Sequence, residues 1–138
     1  MRLQIVLDCA DPHRLVSFWA AALGYEIEDH TAVVQGLLGA GRLTAAESVP
    51  TERGLGFAGL AACRDPAGIK PRLLLQRVPE PRVTKLRQHL DLQFGPDQAP
   101  DEVDRLTALG ATVAWVVSDR GPRTTTMRDP EGNEFCVS

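Results

Sequence analysis

The stretch LQIVLDCADPHRLVSFWAAALGY, residues 3–25, decides how this chain folds. Apolar and polar positions alternate over residues 2–8, and this period of two predicts a half-buried strand. Asp11 and Pro12 predict a helix start, because an aspartate caps the first N–H groups and a proline fits the first turn. Apolar side chains then recur at helical spacing up to Gly24, which predicts the end of the helix.

The second half of the chain repeats this pattern. Leu86–Phe94 alternates as a strand, and Gln98–Leu109 has the period of a helix that ends at Gly110. One such unit is too small to close a core alone, so two copies predict a paired architecture. We expect an α+β protein with helices on one face of mixed, largely antiparallel sheets. The modules would be residues 1–79 and 83–138 of a single domain.

The remaining segments are predicted from their alternation and turn residues. We expect strands at Tyr25–Asp29, Thr31–Leu38, Arg72–Val78, Ala111–Val117, Arg123–Met127 and Glu134–Val137, and a tight turn at Asp129–Asn133. Residues 39–71 are rich in glycine and irregular, which favours loops with a short strand near Leu55–Leu60. Residues 79–82 are predicted to form a linker.

The composition is that of a globular domain, with 138 residues, 43% hydrophobic and 24% charged. A net charge of −3 argues against nucleic-acid binding, and no run approaches the roughly 20 apolar residues that span a membrane. The first apolar run is too short for a signal peptide. Cys9, Cys63 and Cys136 include no Cys-x-x-Cys pair, and buried free thiols are predicted for Cys9 and Cys63. We expect a cytoplasmic protein with no nucleic-acid or membrane partner.

Polar side chains collect on one face of the predicted sheets. If Leu3, Ile5 and Leu7 pack under the first helix, the residues between them face the other way. The same alternation on the fifth and last strands extends this face, which consists of Gln4, Val6, Asp8, His89, Asp91, Gln93, Glu134 and Cys136. Such a face is either a binding surface or simply solvated. Asp8 and Asp91 occupy matching positions, where they would form an acid–base pair or bond to backbone groups.

Three motifs resemble the glyoxalase-like branch of the vicinal oxygen chelate superfamily. They are Leu7–Pro12 leading into Phe18-Trp19 and Leu23-Gly24-Tyr25, then His89–Leu92, then Asp129–Phe135. This superfamily includes glyoxalase I, extradiol dioxygenases, fosfomycin-resistance enzymes and bleomycin-binding proteins. The resemblance implies a pair of βαβββ modules that form a cup-shaped mixed sheet, with the helices outside and a small molecule in the cup. It also implies a homodimer, because dimers are common in this family.

The resemblance further implies four possible metal-ligand positions, on the first, fourth, fifth and eighth strands. In this sequence these positions resemble Gln4, Gln76, His89 and Cys136. The eighth-strand ligand is normally a glutamate four residues after the turn glycine, and Glu134 lies two residues too early to replace it. Hard divalent ions prefer carboxylate and imidazole donors, so we expect weak metal binding or none, and no other cofactor. Zinc on His89 and the Cys136 thiolate is the alternative.

Two functions are compatible with these residues. A lyase or isomerase of the glyoxalase-like group needs a polar reacting centre, for which the candidates are His89, Asp91, Asp8 and Glu134. A non-catalytic protein that binds or sequesters an antibiotic-type molecule needs apolar and aromatic walls. Aromatic residues make up only 5% of the chain, which favours the enzyme-like interpretation.

Three further aromatic side chains have less specific predictions. Trp115 is expected either to line the pocket or to fill the second core, since Val113 and Val117 would share its face. His13 is expected to face solvent. His30 is expected to lie in a turn without a functional role.

Overall fold

The computed structural model describes residues 2–81, 83–118 and 123–138. The chain forms two compact units, residues 1–81 (unit 1) and residues 82–138 (unit 2). Each unit has a helix packed on a four-stranded sheet, so the predicted α+β class is confirmed. Among the described residues, no helix is long and apolar enough to cross a membrane.

Unit 1 contains a mixed sheet, two α-helices and a separate hairpin. Its elements are β1 (Gln4–Cys9), α1 (Pro12–Leu23), β2 (Glu26–Ile27), α2 (Thr31–Gly39), β3 (Ser48–Thr51), β4 (Gly54–Phe57), β5 (Leu60–Arg64) and β6 (Arg72–Arg77). The strand order is β1-β6-β5-β2, with β1 parallel to β6 and the other pairs antiparallel. Strands β3 and β4 pair only with each other.

Helix α1 begins and ends where the sequence predicts. The Asp11 carboxylate accepts the backbone N–H groups of His13 and Arg14, each at 3.1 Å. At the other end, Gly24 adopts the left-handed conformation with φ 67°. A residue with a Cβ would be strained there, so glycine defines the end of the helix.

The core of unit 1 lies between α1 and the sheet. Trp19 on the helix and Leu73 and Leu75 on β6 are almost fully buried. The predicted alternation of β1 is confirmed from Gln4 onward. Leu3 was expected under the helix, but it precedes the strand and is 63% exposed, so that prediction is wrong.

Residues 31–39 form helix α2, and the predicted strand at Thr31–Leu38 is wrong. The backbone N–H of Thr31 donates to the Asp29 carboxylate at 2.8 Å at the first turn of this helix. The Thr31 hydroxyl oxygen accepts the backbone N–H of Leu55 at 3.0 Å, which ties the helix start to the hairpin. An apolar run this short does not distinguish a helix from a strand by its period alone.

Residues 39–71 contain more regular structure than their glycine content predicts. The hairpin β3–β4 and strand β5 lie here, where we expected loops and one short strand near Leu55–Leu60. Gly54 has φ 120° and lies against the Thr31 side chain, so a Cβ at this position would collide with it. The predicted strand at Tyr25–Asp29 is reduced to the two residues of β2.

Unit 2 has the same arrangement of a helix on a four-stranded sheet, with fewer elements than unit 1. Its elements are β7 (Asp91–Leu92), α3 (Ala99–Ala108), β8 (Thr112–Val117), β9 (Thr124–Arg128) and β10 (Glu134–Val137). The strand order is β7-β10-β9-β8, with β7 parallel to β10 and the other pairs antiparallel. The predicted helix and the last three predicted strands are confirmed to within one residue at each end.

The predicted strand at Leu86–Phe94 is largely wrong. Its alternation is present, because Leu90, Leu92 and Phe94 are half-buried between exposed residues. Among the described residues, the backbone-to-backbone hydrogen bonds to the last strand begin at Leu90, whose carbonyl accepts the Cys136 N–H at 2.8 Å. Strand β10 is four residues long, so it pairs with only the end of the predicted strand.

The turn before β10 is built around Asp129. One carboxylate oxygen accepts the backbone N–H groups of Glu131 and Asn133, each at 2.9 Å. The other accepts the Asn133 side-chain amide at 3.0 Å. The predicted turn is confirmed, and it fixes the register of Glu134 opposite Arg128.

Candidate functional site

The face of the unit 1 sheet turned away from α1 carries the polar residues predicted for this half. This open face of unit 1 consists of Gln4, Val6, Asp8, Leu60, Ala62, Arg72, Leu74 and Gln76. Gln4, Asp8 and Gln76 are exposed, and the register sets Asp8 beside Gln76 on neighbouring strands. These predicted residues therefore share one surface.

Arg72 is held on this open face by two partners. Its Nε and Nη2 donate to the two carboxylate oxygens of Glu28, each at 2.7 Å. Its Nη1 donates to the Gln4 amide oxygen at 2.6 Å. The hydrogen bond from Arg72 holds the pKa of the Glu28 carboxyl below its ordinary value, and His30 contributes in the same direction. A guanidinium carries more N–H groups than these three bonds use, so Arg72 can still bind a ligand oxygen.

A groove of about 710 Å³ lies beside Gln4 and Arg72, and we name it the basic groove. Its charged lining comprises four basic and two acidic side chains, namely Arg2, Arg64, Lys70 and Arg72 against Glu28 and Asp65. Glu28 is paired with Arg72, and Asp65 accepts the backbone N–H groups of Ile69 and Lys70 at 2.9 Å each. The groove therefore has an excess of positive charge.

Gln4 does not fit the metal-ligand role that the resemblance implies. Its amide oxygen, the atom of the side chain that binds cations, already accepts a hydrogen bond from Arg72. A metal ion on this oxygen would lie beside a guanidinium and would be repelled. In the described part of the chain, no group of three His, Cys, Asp or Glu side chains is arranged to hold a metal ion. The described residues around Gln4 therefore do not fit a divalent metal site.

Unit 2 also has a sheet face turned away from its helix. This open face of unit 2 consists of Asp91, Trp115, Val117, Thr124, Thr126, Arg128, Glu134 and Cys136. The register places Cys136 between Asp91 on one side and Thr126 on the other. The Cys136 sulfur lies 3.5 Å from the Thr126 hydroxyl. Glu134 and Cys136 share this face in a regular register.

Trp115 reaches this face because β8 contains an irregularity. The register shifts between Val113 and Trp115, so Val113 pairs with Met127 whereas Trp115 pairs with Thr126. A bulge of this kind turns the next side chain to the other face. Trp115 is 38% exposed and lies outside the helix-facing core. The prediction that Val113 shares the face of Trp115 is wrong, because the bulge places the two side chains on opposite faces.

The remaining candidates in unit 2 differ in how they are held. Glu134 is 7% exposed, its carboxylate accepts the Leu86 N–H at 3.3 Å, and it lies 3.9 Å from Arg128 Nε. Asp91 is exposed and accepts only long hydrogen bonds, such as 3.3 Å from the Gln93 amide. His89 is exposed and precedes β7 rather than lying in a strand. Glu134 thus binds the backbone of the segment that precedes β7, while Asp91 and His89 remain accessible.

Two histidines with no predicted role line a cavity of about 660 Å³ in unit 1. His13 was expected to face solvent, but its Nε2 lies 2.8 Å from the Phe57 carbonyl oxygen. His30 was expected to have no role, but its ring packs edge-on against Phe57 and its Nε2 lies 3.3 Å from Glu28 Oε2. Both partners come from residues 28–58, whose structure the sequence predicts only in part.

Two of the three thiols are inert by burial. Cys9 and Cys63 are buried and free, as predicted. Burial, aided by the Glu28 carboxylate, raises the pKa of Cys63 to about 12. A thiol of this kind is not a nucleophile at neutral pH. Cys136 is free and half-buried, so it is the accessible thiol.

Comparison with solved structures identifies the fold. A glyoxalase/bleomycin resistance protein/dioxygenase family enzyme from Burkholderia phytofirmans PsJN superposes with a TM-score of 0.63 at 11% identity, over 97% of this chain and 94% of that chain. The fosfomycin resistance protein FosX from Listeria monocytogenes, a mutant complexed with Mn(II) and 1S,2S-dihydroxypropylphosphonic acid, gives 0.61 at 13% identity, over 97% and 85%. TioX from Micromonospora sp. ML1 gives 0.55 at 16% identity, over 99% and 96%. At these identities the likeness is one of fold.

The sequence itself gives the family. No curated protein matches the chain. The family model described as a glyoxalase-like domain matches residues 4–138, which is nearly the whole length and includes both units. The chain therefore belongs to the glyoxalase-like family.

Proposed function

We propose that this protein binds an anionic, oxygen-rich small molecule in the basic groove and acts on it as a lyase or isomerase without a bound metal. The observation that carries the proposal is the Arg72 guanidinium, which Glu28 and Gln4 hold beside the groove. A guanidinium recognises oxyanions through paired N–H bonds. In this proposal Arg72 donates N–H groups to the ligand oxygens, and the net positive charge of the groove takes the place of the metal ion in metal-using relatives.

The proposed chemistry needs a proton acceptor next to the bound ligand. Asp8 is the candidate in unit 1 for a ligand that extends from the groove along the open face, because its exposed carboxylate lies beside Gln76 and about 13 Å along β1 from Gln4. The Gln76 amide would orient a ligand oxygen. We assign no role at this groove to the exposed side chains of Asp91 and His89 in unit 2, and we assign Glu134 a structural role. Proton removal next to a carbonyl is the step that such a carboxylate or imidazole catalyses.

An NMR titration tests the binding step. The probe is dihydroxyacetone phosphate, an anionic α-hydroxy ketone, added to the full chain in the presence of a metal chelator. We expect shifts in the backbone signals of Gln4 and Arg72, and binding at least about tenfold weaker in Arg72→Gln. Arg14→Gln is the matched control, since Arg14 is an exposed arginine of α1 outside the groove. Three outcomes would contradict the proposal: binding that needs added Mn²⁺, binding by Arg72→Gln as tight as that of wild type, or no binding at all.

Trp115 favours a second function, which is non-catalytic binding. Its indole is partly exposed on the open face of unit 2, with Lys85 Nζ 5.4 Å from the ring centre. An aromatic surface of this kind holds a flat ligand without any chemistry. Deuterium exchange distinguishes the two functions. A lyase or isomerase exchanges a carbon-bound proton of the bound probe in D₂O, whereas a sequestering protein leaves the probe unexchanged.

We further propose that the chain forms a homodimer through the edge strand β8. This strand ends the sheet order of unit 2, and its side chains Val113, Val116 and Val117 are exposed. An unpaired apolar edge is a template for pairing with another chain. Light scattering should give twice the 15.0 kDa of one chain, and Val116→Glu should reduce it to one. Val83→Glu, at an exposed valine outside the strand, is the control, and a wild-type mass near 15.0 kDa would refute the dimer.

A further inference from the structure

Unit 1 contains a second concave site, whose lining shares Glu28 with that of the basic groove. This helix-side cavity, of about 660 Å³, is bounded by α1, the end of β2 and the hairpin β3–β4. Its floor includes Ile27 and Ala61, which pair with the buried residues Cys63 and Leu75. These residues belong to the sheet face under α1. The cavity therefore lies on the other side of the sheet from the open face.

The walls of the helix-side cavity are mostly apolar. They include Val16, Ile27, Val49, Pro50, Leu55 and Ala61. The charged residues at the cavity are balanced, because Glu52 stands next to Arg53 at the hairpin turn and Glu28 is paired with Arg72. A volume of this size with a mostly apolar surface is typical of sites for drug-sized molecules. The balance of charge favours an uncharged ligand.

Two of the polar side chains that line the cavity are histidines, and their partners fix which ring nitrogen carries the proton. His13 Nε2 faces the Phe57 carbonyl oxygen, which only accepts, so this nitrogen carries the hydrogen. His30 Nε2 faces the Glu28 carboxylate and donates to it for the same reason. In each neutral ring Nδ1 is then the unprotonated nitrogen. Both imidazoles are thereby set as hydrogen-bond acceptors.

The close approach of the hairpin to the His13 ring depends on Gly56. A Cβ on Gly56 would lie 3.1 Å from His13 Cε1 and 2.9 Å from Thr51 Cγ2. Only glycine lets the strand approach the imidazole this closely without displacing it. Residues 28–58 form the segment inserted between β2 and β5. This segment therefore forms walls of the cavity and also positions the two histidine acceptors.

We propose that the helix-side cavity binds an uncharged, largely apolar small molecule that donates a hydroxyl or N–H hydrogen to His13 and His30. The apolar walls contribute the affinity, and the two Nδ1 acceptors select ligands that carry a donor. A site built to accept a hydrogen bond rejects an analogue that lacks the donor, because its polar groups are then left unpaired. Glu28 connects this site to the basic groove through its bonds to His30 and Arg72, but the proposal does not rest on the function proposed for the groove.

The test compares two probes that differ only in the donor, 2-naphthol and 2-methoxynaphthalene, on the full chain at neutral pH. Long-range ¹H–¹⁵N spectra report each imidazole nitrogen separately. We expect 2-naphthol to shift the Nδ1 signals of His13 and His30 and to bind at least about tenfold more tightly than its methyl ether. His89, exposed and in unit 2, is the internal control and should not shift.

A substitution that fills the cavity completes the test. Ser17 is an exposed residue of α1 that lines the cavity, so Ser17→Trp should block 2-naphthol without disturbing the core. Ala21→Trp places the same side chain one turn later, where it does not line the cavity, and should bind like wild type. Equal binding of the two probes would overturn the donor assignment. Shifts at His89 alone, wild-type binding by Ser17→Trp, or no binding of 2-naphthol would overturn the site itself.

Discussion

Units 1 and 2 begin from the same sequence pattern and reach different structures. Both have a strand, a helix that ends at a glycine, and further strands. The first strand pairs over six residues in unit 1 but over only two in unit 2. Unit 1 has concave sites of about 660 and 710 Å³, against about 210 Å³ in unit 2. The repeat therefore determines the sheet and the helix, while the segment inserted between β2 and β5 determines the helix-side cavity.

The polar residues of the two open faces differ in the same way. In unit 1, Arg72 is held by three bonds of 2.6–2.7 Å to Glu28 and Gln4. In unit 2, Asp91 accepts hydrogen bonds of 3.3 and 3.5 Å from Gln93 and Ser138. Short charge-assisted bonds fix a side chain, whereas long exposed ones leave it free to turn. Unit 1 is thus the preorganised half of the molecule.

The two tryptophans give the largest expected difference between the units. Trp19 is 2% exposed in the core of unit 1, so Trp19→Ala should lower the free energy of unfolding by about 3–5 kcal/mol. Trp115 is 38% exposed, and Trp115→Ala should cost less than about 1 kcal/mol. Urea denaturation followed by circular dichroism measures both. Equal losses would mean that Trp115 is covered in solution.

Two aspartates that accept backbone N–H groups should give the next largest difference. Asp129 in unit 2 is buried and accepts three hydrogen bonds in its turn, so Asp129→Ala should lower the free energy of unfolding by about 2 kcal/mol. Asp11 in unit 1 is an exposed helix cap, and Asp11→Ala should cost about 1 kcal/mol. The same urea titration ranks them, and a larger loss for Asp11→Ala would reverse our assignment of the turn as the tighter structure.

The sequence predicts those parts of the fold that depend on local chemistry. Asp11, Pro12 and Gly24 mark the ends of α1 because a cap and a left-handed glycine act within one turn. The turn at Asp129 is predicted for the same reason. Thr31–Leu38 is mispredicted because its run of apolar residues fits either period, and the contact of Thr31 with Leu55, 24 residues away, is invisible in a local pattern.

The candidate site is predictable only in part for a related physical reason. Alternation correctly assigns Gln4, Asp8 and Cys136 to the open faces, because side chains alternate along any strand. It does not predict that Gln4 is bonded to Arg72, since their pairing brings together residues 68 positions apart. His13 and His30 are missed because their partners lie in the inserted segment. Long-range contacts, rather than residue types, decide what these side chains do.

The smallest expected difference concerns two glutamates of the same edge of unit 1. Glu28 is mostly buried and bonded to Arg72 at 2.7 Å, so Glu28→Gln should lower the free energy of unfolding by about 1 kcal/mol at pH 7. Glu26 lies 3.9 Å from Arg64 with both side chains exposed, so Glu26→Gln should have almost no effect. A loss for Glu26→Gln as large as that for Glu28→Gln would show that charge alone, not the bonded geometry, stabilises this edge.

The pH dependence separates these glutamates further. The hydrogen bond from Arg72 holds the pKa of Glu28 below its ordinary value, so the folded state favours the carboxylate. The bond between Arg72 and Glu28 therefore stabilises the fold fully above the ordinary glutamate pKa of about 4.3. This stabilisation is lost as the pH falls through the lowered pKa of Glu28. The difference in unfolding free energy between wild type and Glu28→Gln should shrink steadily between about pH 5 and pH 2. A difference that stays constant down to pH 2 would contradict the ion pair, because a neutral packing contact does not titrate.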